Sequence, residues 1–177
     1  MRLYFLRHGE AVEKGNLQDA QRPLTEHGVA QARLIGSLLL NSGVQIDAIL
    51  TSPLVRAKQT ADIVRETLGL NAVQTSEHLL PSSDRRRLYA LLSSLNAGAI
   101  LMVGHEPHLS ETVSDLIAGD HQARIDLGKC ALARVDTEGG VEEGRGILRL
   151  LIPREFSEAV LHEGEHHGTH HRPHRKT

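Results

Sequence analysis

The sequence predicts an α/β protein. The expected form is a single three-layer domain: a mainly parallel central sheet, helices on both faces, and a C-terminal antiparallel hairpin at the sheet edge. Three observations predict it. Leu3-Tyr4-Phe5-Leu6 and Ala99-Ile100-Leu101-Met102-Val103 are short, wholly apolar runs that end in polar, Gly-containing segments, the pattern of strands buried on both faces. Up to about residue 118, such runs alternate with segments of helical period, which implies a parallel sheet covered on both sides. Beyond that, two strand-like runs joined by Glu138-Gly139-Gly140 have the spacing of a hairpin.

Each element has a local reason. The first strand runs into Arg7-His8-Gly9-Glu10, and a polar loop follows from Glu13 to Arg22. Thr25 suits the N-cap of a helix reaching about Leu40, with Ala30, Leu34, Ile35 and Leu38 on one face and Asn41-Ser42-Gly43 as its stop. Ile46 to Leu50 reads as the second strand. Thr51-Ser52-Pro53 breaks it and opens a helix with a stripe of Leu54, Ala57, Ala61, Val64 and Leu68, ended by Gly69. Asn71 to Ser76 suits a short strand. Ser83 or Asp84 caps a third helix, in which Leu88, Leu91, Leu92 and Leu95 repeat at helical spacing before Asn96-Ala97-Gly98. Ala99 to Val103 is the clearest strand and runs into Gly104-His105-Glu106-Pro107. A fourth helix then carries Leu109, Val113, Leu116 and Ile117 on one face and ends at Gly119. Cys130 to Val135 and Ile147 to Ile152 are the hairpin strands. We expect one domain over residues 1–158 and a His-rich, disordered tail over residues 159–177. Six of the twelve His lie between His162 and His174, with no apolar pattern to support folding. Neutral imidazoles there could bind Zn or Ni; the alternative is a solvated tail with no specific role.

Composition excludes several functions. Aromatic residues are 2% of the chain and Trp is absent, which leaves no stacking surface for single-stranded nucleic acid. A net charge of −2 argues against general DNA binding. A lone Cys cannot close an internal disulfide, so Cys130 reads as a small buried hydrophobe in a reducing compartment. The N-terminal apolar run is too short for a signal peptide, and no segment reaches the roughly 20 apolar residues of a membrane span. A soluble, cytoplasmic protein without membrane or nucleic-acid partners is expected.

Three of the strands end in residues that can do chemistry: Arg7 and His8, then Thr51 and Ser52 followed by Arg56, then Gly104 and His105. In parallel α/β sheets ligands bind at the carboxyl ends of strands, so these groups meet if the strands are neighbours. Guanidinium forks match phosphate oxygens, and helices starting after Pro53 and Pro107 could add backbone N–H groups. None of the three segments holds a carboxylate pair or a Cys/His set with metal spacing, so we expect a phosphate pocket with no metal or cofactor. A neutral imidazole is a competent nucleophile toward phosphorus. The neighbouring Arg charges should keep His8 neutral and stabilise the equatorial oxygens during transfer.

These residues resemble the histidine phosphatase superfamily, also called phosphoglycerate-mutase-like. Leu6-Arg7-His8-Gly9-Glu10 is similar to its defining motif, Ser52-Pro53-Leu54-Val55-Arg56-Ala57-Lys58-Gln59-Thr60 to its second element, and Val103-Gly104-His105-Glu106-Pro107 to its third. Arg22-Pro23-Leu24-Thr25-Glu26-His27-Gly28 and the short length resemble the SixA-type phosphohistidine phosphatases. The likeness spans roughly residues 1–155. It implies that His8 is the nucleophile and becomes a phosphohistidine, and that Arg7, Arg56 and His105 bind and polarise the phosphoryl group. It further implies that Arg22 adds a phosphate contact and that Gly9 lets the backbone pass close to the site. Ser52 is counted with Arg22 and Gly9 as lining the substrate.

One departure bears on the substrate. Phosphoester-cleaving members carry a general acid after the third strand, where this chain reads Glu77-His78-Leu79-Leu80-Pro81-Ser82-Ser83-Asp84 with no convincing acid motif. An alkoxide needs a proton as it departs, whereas an imidazole is a better leaving group. The expected activity is therefore removal of phosphate from phosphohistidine on a signalling or phosphotransfer protein. Such a substrate needs an open, shallow site, and the chain has no long insertion to form a lid. The alternatives are a small-molecule phosphomonoesterase using Glu77, Asp84 or Glu106 as acid, and a non-catalytic phosphate-binding module.

Overall fold

The computed structural model describes residues 1–156 and 159. The expected domain boundary and the His-rich tail fall at and beyond the end of the described residues. Six strands are present: β1 (Arg2–Arg7), β2 (Ala48–Thr51), β3 (Gln74–Thr75), β4 (Ala99–Gly104), β5 (Leu132–Thr137) and β6 (Gly146–Ile152). Four α-helices accompany them: α1 (Glu26–Asn41), α2 (Val55–Leu68), α3 (Arg85–Ser94) and α4 (His108–Ala118). The strands form one sheet in the order β3-β2-β4-β1-β5-β6. β1, β2, β3 and β4 pair in parallel, and β5 and β6 extend the sheet antiparallel at one edge. The α/β architecture with its edge hairpin is thus the one the apolar pattern predicts.

Period-2 alternation on the central strands divides the core in two. Tyr4, Leu6, Ile49, Leu101 and Val103 face α1 and α2, where Ile35, Leu39, Ala57, Ala61 and Val64 pack against them. Leu3, Phe5, Leu50, Ile100 and Met102 face the other way and meet Leu88 and Leu92 of α3 and Leu109, Val113 and Leu116 of α4. Cys130 is fully buried, and burial pushes its thiol up to about 12, as suits an inert hydrophobe.

Local details differ from expectation. α1 buries Ala32, Ile35 and Leu39, while Ala30, Leu34 and Leu38 of the expected face are only partly buried, because the strip that meets the sheet is rotated by part of a turn. Thr51 is the last residue of β2, and Pro53 precedes α2 rather than sitting in its first turn; the N-cap is Leu54. The loop from Glu13 to Arg22 contains a short 3-10 helix, Asp19–Gln21. Thr25 caps α1 as expected, its hydroxyl accepting from the Gly28 N–H at 3.0 Å and donating to the Glu10 carboxylate at 2.8 Å. This draws the first turn of α1 onto the segment leaving β1. A Cβ on Gly28 would lie 2.0 Å from the Glu10 carbonyl oxygen, and one on Gly9 would lie 2.7 Å from the Gly28 carbonyl oxygen. Both glycines permit a backbone-to-backbone approach that no side chain can share. Gly28→Ala is therefore expected to destabilise the fold by about 1–3 kcal/mol, read as a lower urea midpoint.

Candidate active site

β4 lies between β1 and β2, so the three chemically active strand ends are neighbours. Backbone hydrogen bonds continue the sheet past its assigned ends: His8 N–H donates to Gly104 O at 3.1 Å, and Ser52 N–H donates to Val103 O at 3.0 Å. His8, Ser52 and His105 are thereby carried out on one edge, and Arg56 reaches it from the first turn of α2. The imidazoles of His8 and His105 have ring centroids 5.0 Å apart. Exposure is 6% for His8, 6% for Arg56 and 2% for His105, so the site is more enclosed than the absence of a long insertion suggested.

Hydrogen bonding assigns the His8 tautomer. Its Nδ1 lies 2.7 Å from Gly9 O, an atom that only accepts, so Nδ1 carries the proton and Nε2 presents a lone pair. Arg56 Nε–H donates to that lone pair at 3.3 Å. The Gly9 N–H donates to Thr60 Oγ1 at 3.1 Å, and Thr60 in turn donates to Arg56 O at 2.8 Å. The Gly9 amide is thus tied to α2, and the Gly9 carbonyl fixes the tautomer of its neighbour. His105 Nε2 lies 2.7 Å from Ser52 Oγ. When Ser52 donates there, His105 carries its proton on Nδ1.

Arg7 donates through Nη1 to Leu127 O at 2.9 Å. Its Nε is buried without a hydrogen-bond partner among the described residues, and so is His105 Nδ1. Unpartnered buried donors are uncommon, and an oxyanion is the kind of group that would satisfy them. Arg22 stands one step further out: its Nε donates to Val12 O at 2.8 Å and its Nη1 to Asp19 Oδ1 at 2.9 Å. Asp19 was not singled out in the sequence, yet it bonds both Arg22 and Arg56. No local pattern marks it, because its role depends on a loop folding back over α2. The helix starts offer less than expected. Leu54 N–H is taken by Ser52 Oγ at 3.3 Å and Ser110 N–H by Glu106 Oε1 at 3.1 Å.

Burial, more than charge, keeps the imidazoles neutral. It pulls His8 from 6.5 down to about 3; the Gly9 hydrogen bond opposes this, and the charges of His105, Arg56 and Arg7 add to it. His105 is likewise lowered to about 3 by burial first and Arg56 second. Among the acids proposed from sequence, Asp84 caps α3 by accepting from Arg86 N–H at 3.0 Å, and it lines a separate cavity with Arg85, Asp115 and His121. Glu106 is half-buried, and burial raises its carboxyl above the ordinary 4.5 although the hydrogen bonds from Ser110, and after them Arg7, oppose the shift.

Buried neutral imidazoles also tie stability to pH. His8, His105 and His108, the last lowered to about 4 by burial, bind protons less readily folded than unfolded. Their contribution is fully present above pH 6.5 and is lost as pH falls from there toward the folded values. Each can cost up to about 1.4 kcal/mol per pH unit in that window. The urea midpoint should therefore fall steadily from pH 7 to pH 5, and replacing His108, which lies outside the His8–His105 pair, with Gln should make that fall shallower.

Comparison with known proteins agrees with this geometry. The family described as the histidine phosphatase superfamily (branch 1) matches residues 3–80. Phosphohistidine phosphatase SixA of Escherichia coli (strain K12) is 30% identical over 143 residues, covering 78% of this chain and 88% of that protein. A solved structure of the protein histidine phosphatase SixA complexed with tungstate superposes with a TM-score of 0.78 at 28% identity, over 86% of this chain and 97% of that one. A 2,3-bisphosphoglycerate-dependent phosphoglycerate mutase of Azorhizobium caulinodans is 36% identical over 97 residues, 53% of this chain and 46% of that protein. With its motif residues gathered at one sheet edge and a SixA relative matched over most of its length, this chain belongs to the histidine phosphatase superfamily and to its SixA-type branch.

Proposed function

We propose that this phosphatase removes phosphate from phosphohistidine on a protein, with His8 as nucleophile. The observation that carries the reading is the His8 ring itself: neutral, its Nδ1 proton held by Gly9 O, its Nε2 lone pair directed at Arg56. In the first step that lone pair forms a bond to phosphorus while the P–N bond of the substrate breaks; the substrate's imidazole, already protonated on its other ring nitrogen, leaves as the neutral ring. A P–N bond is exchanged for a P–N bond, so the transfer is close to balanced in energy and needs little help for the leaving group. In this reading Arg56, Arg7 and His105 bind the phosphoryl oxygens as charge builds on them, supported by the Arg56 Nε–H contact to His8 and by the unpartnered Arg7 Nε and His105 Nδ1. In the second step water attacks phosphorus, phosphate leaves, and Nε2 regains its lone pair. The SixA structure that superposes on this chain holds tungstate, a tetrahedral oxyanion, which supports the same class of ligand here.

Glu106 favours one alternative, hydrolysis of small phosphate esters. Its raised carboxyl is protonated at higher pH than an ordinary Glu and could give a proton to an alkoxide. A phosphohistidine protein and a panel of alkyl phosphates separate the two readings: kcat/KM at least 100-fold higher on the phosphohistidine is expected. Parity, together with loss of ester activity in Glu106→Gln, would move the assignment to a phosphomonoesterase. His8→Ala should reduce turnover by at least 10³-fold. Rapid quench of the wild-type enzyme should trap an acid-labile, base-stable phosphoryl group on His8, and label on a Ser or Cys would refute the mechanism.

A further inference from the structure

The loop before α1 supplies one residue that the proposed chemistry does not use. Asp19 opens the 3-10 helix Asp19–Gln21, and its side chain is 51% exposed. Its main-chain oxygen accepts from Arg56 Nη1 at 2.7 Å, its Oδ2 accepts from Arg56 Nη2 at 3.1 Å, and its Oδ1 accepts from Arg22 Nη1 at 2.9 Å. We propose that Asp19 is the positioning residue of the phosphoryl site. It grips both terminal nitrogens of Arg56 so that the Nε–H is aimed at the nucleophilic nitrogen, and it binds Arg22 into the same cluster. This inference rests on the functional reading above.

The geometry favours positioning over two other roles. An Arg side chain retains about 2 kcal/mol of rotamer entropy when free, and α2 fixes only its base. Asp19 holds the far end, and the Nε–H is left pointing at His8 Nε2, 3.3 Å away. Asp19 accepts only from Nη1 and Nη2 and so does not compete for the Nε–H. Nor is Asp19 placed as a general acid. Arg22 first, and Arg56 after it, hold its carboxyl below the ordinary 3.8, and both oxygens already accept guanidinium protons. The carboxylate also offsets the repulsion between two guanidiniums brought together beside a third, Arg7.

The arrangement has a consequence for the attack. The His8 lone pair accepts from Arg56 Nε–H. A phosphoryl oxygen that takes over this donor frees the nitrogen beside the phosphorus it must attack. With Asp19 holding the terminal nitrogens, Arg56 need not move for that exchange, and binding and release of the nucleophile become one event.

The test uses the full chain, orthovanadate as the oxyanion probe and phosphoramidate as the phosphoryl donor. Asp19→Ala is expected to weaken vanadate binding at least tenfold and to slow single-turnover phosphorylation of His8. Asp19→Asn, which keeps the main-chain contact and one side-chain acceptor, should fall between it and wild type. In an Arg56→Ala background, Asp19→Ala should add less than twofold, since the lever it acts through is gone. Vanadate binding in Asp19→Ala that is unchanged overturns the proposal, and tighter binding overturns it in favour of a competitor. Effects of the two substitutions that multiply overturn it in favour of a general structural role. If wild-type enzyme forms no phosphoenzyme, the functional reading fails, while the vanadate ratios still decide the role of Asp19.

Discussion

The whole site depends on the parallel pairing of β1 and β2 with the strand between them, β4. Arg7 stands opposite Gly104 and Thr51 opposite Val103, so three chain segments far apart in sequence leave the sheet at the same level. The register is held from both faces. Leu6 and Val103 belong to the core under α1 and α2, and Phe5 and Met102 to the core under α3 and α4. A slip of one residue would exchange these sets and turn each strand-end side chain to the wrong face.

The electrostatics follow from that placement. Cationic and imidazole groups crowded at one sheet edge would repel one another if all were charged. The fold answers by burying His8 and His105 deeply enough to keep them neutral, and by giving Arg7 the Leu127 carbonyl and Arg56 the Asp19 oxygens. What it leaves unmet is informative. A buried polar atom without a partner costs about 1–3 kcal/mol, and Arg7 Nε and His105 Nδ1 are in that state among the described residues. Both atoms belong to the strand-end segments that the β1–β4 register brings together.

Neighbouring parts of the molecule serve the same end by packing. Gly9 and Gly28 let α1 close against the segment leaving β1, and Thr60 joins the Gly9 amide to the Arg56 carbonyl. His8, its tautomer and Arg56 are therefore linked through one short network of backbone and hydroxyl groups. The exposed carboxylate of Asp19 closes that network on the solvent side.

Much of this was legible in the chain. Wholly apolar runs marked β1 and β4, helical spacing marked the helices, and the polar residues after the strands marked Arg7, His8, Arg56 and His105, because buried strands and amphipathic helices leave local, periodic signals. Where the sequence relied on neighbouring charge, it misjudged the cause: His8 is neutral mainly because it is buried, and burial depth is a property of the packed molecule. The start of α2 was misplaced because Pro is compatible with both a first turn and the residue before a cap. By itself the sequence determined the elements and the chemical groups at their ends. Only the tertiary structure decided that β4 is the middle strand, that Gly9 sets the His8 tautomer, and that Asp19 folds back to hold Arg56. Each of these is a contact between segments distant in sequence, and such contacts leave no periodic trace in the chain that makes them.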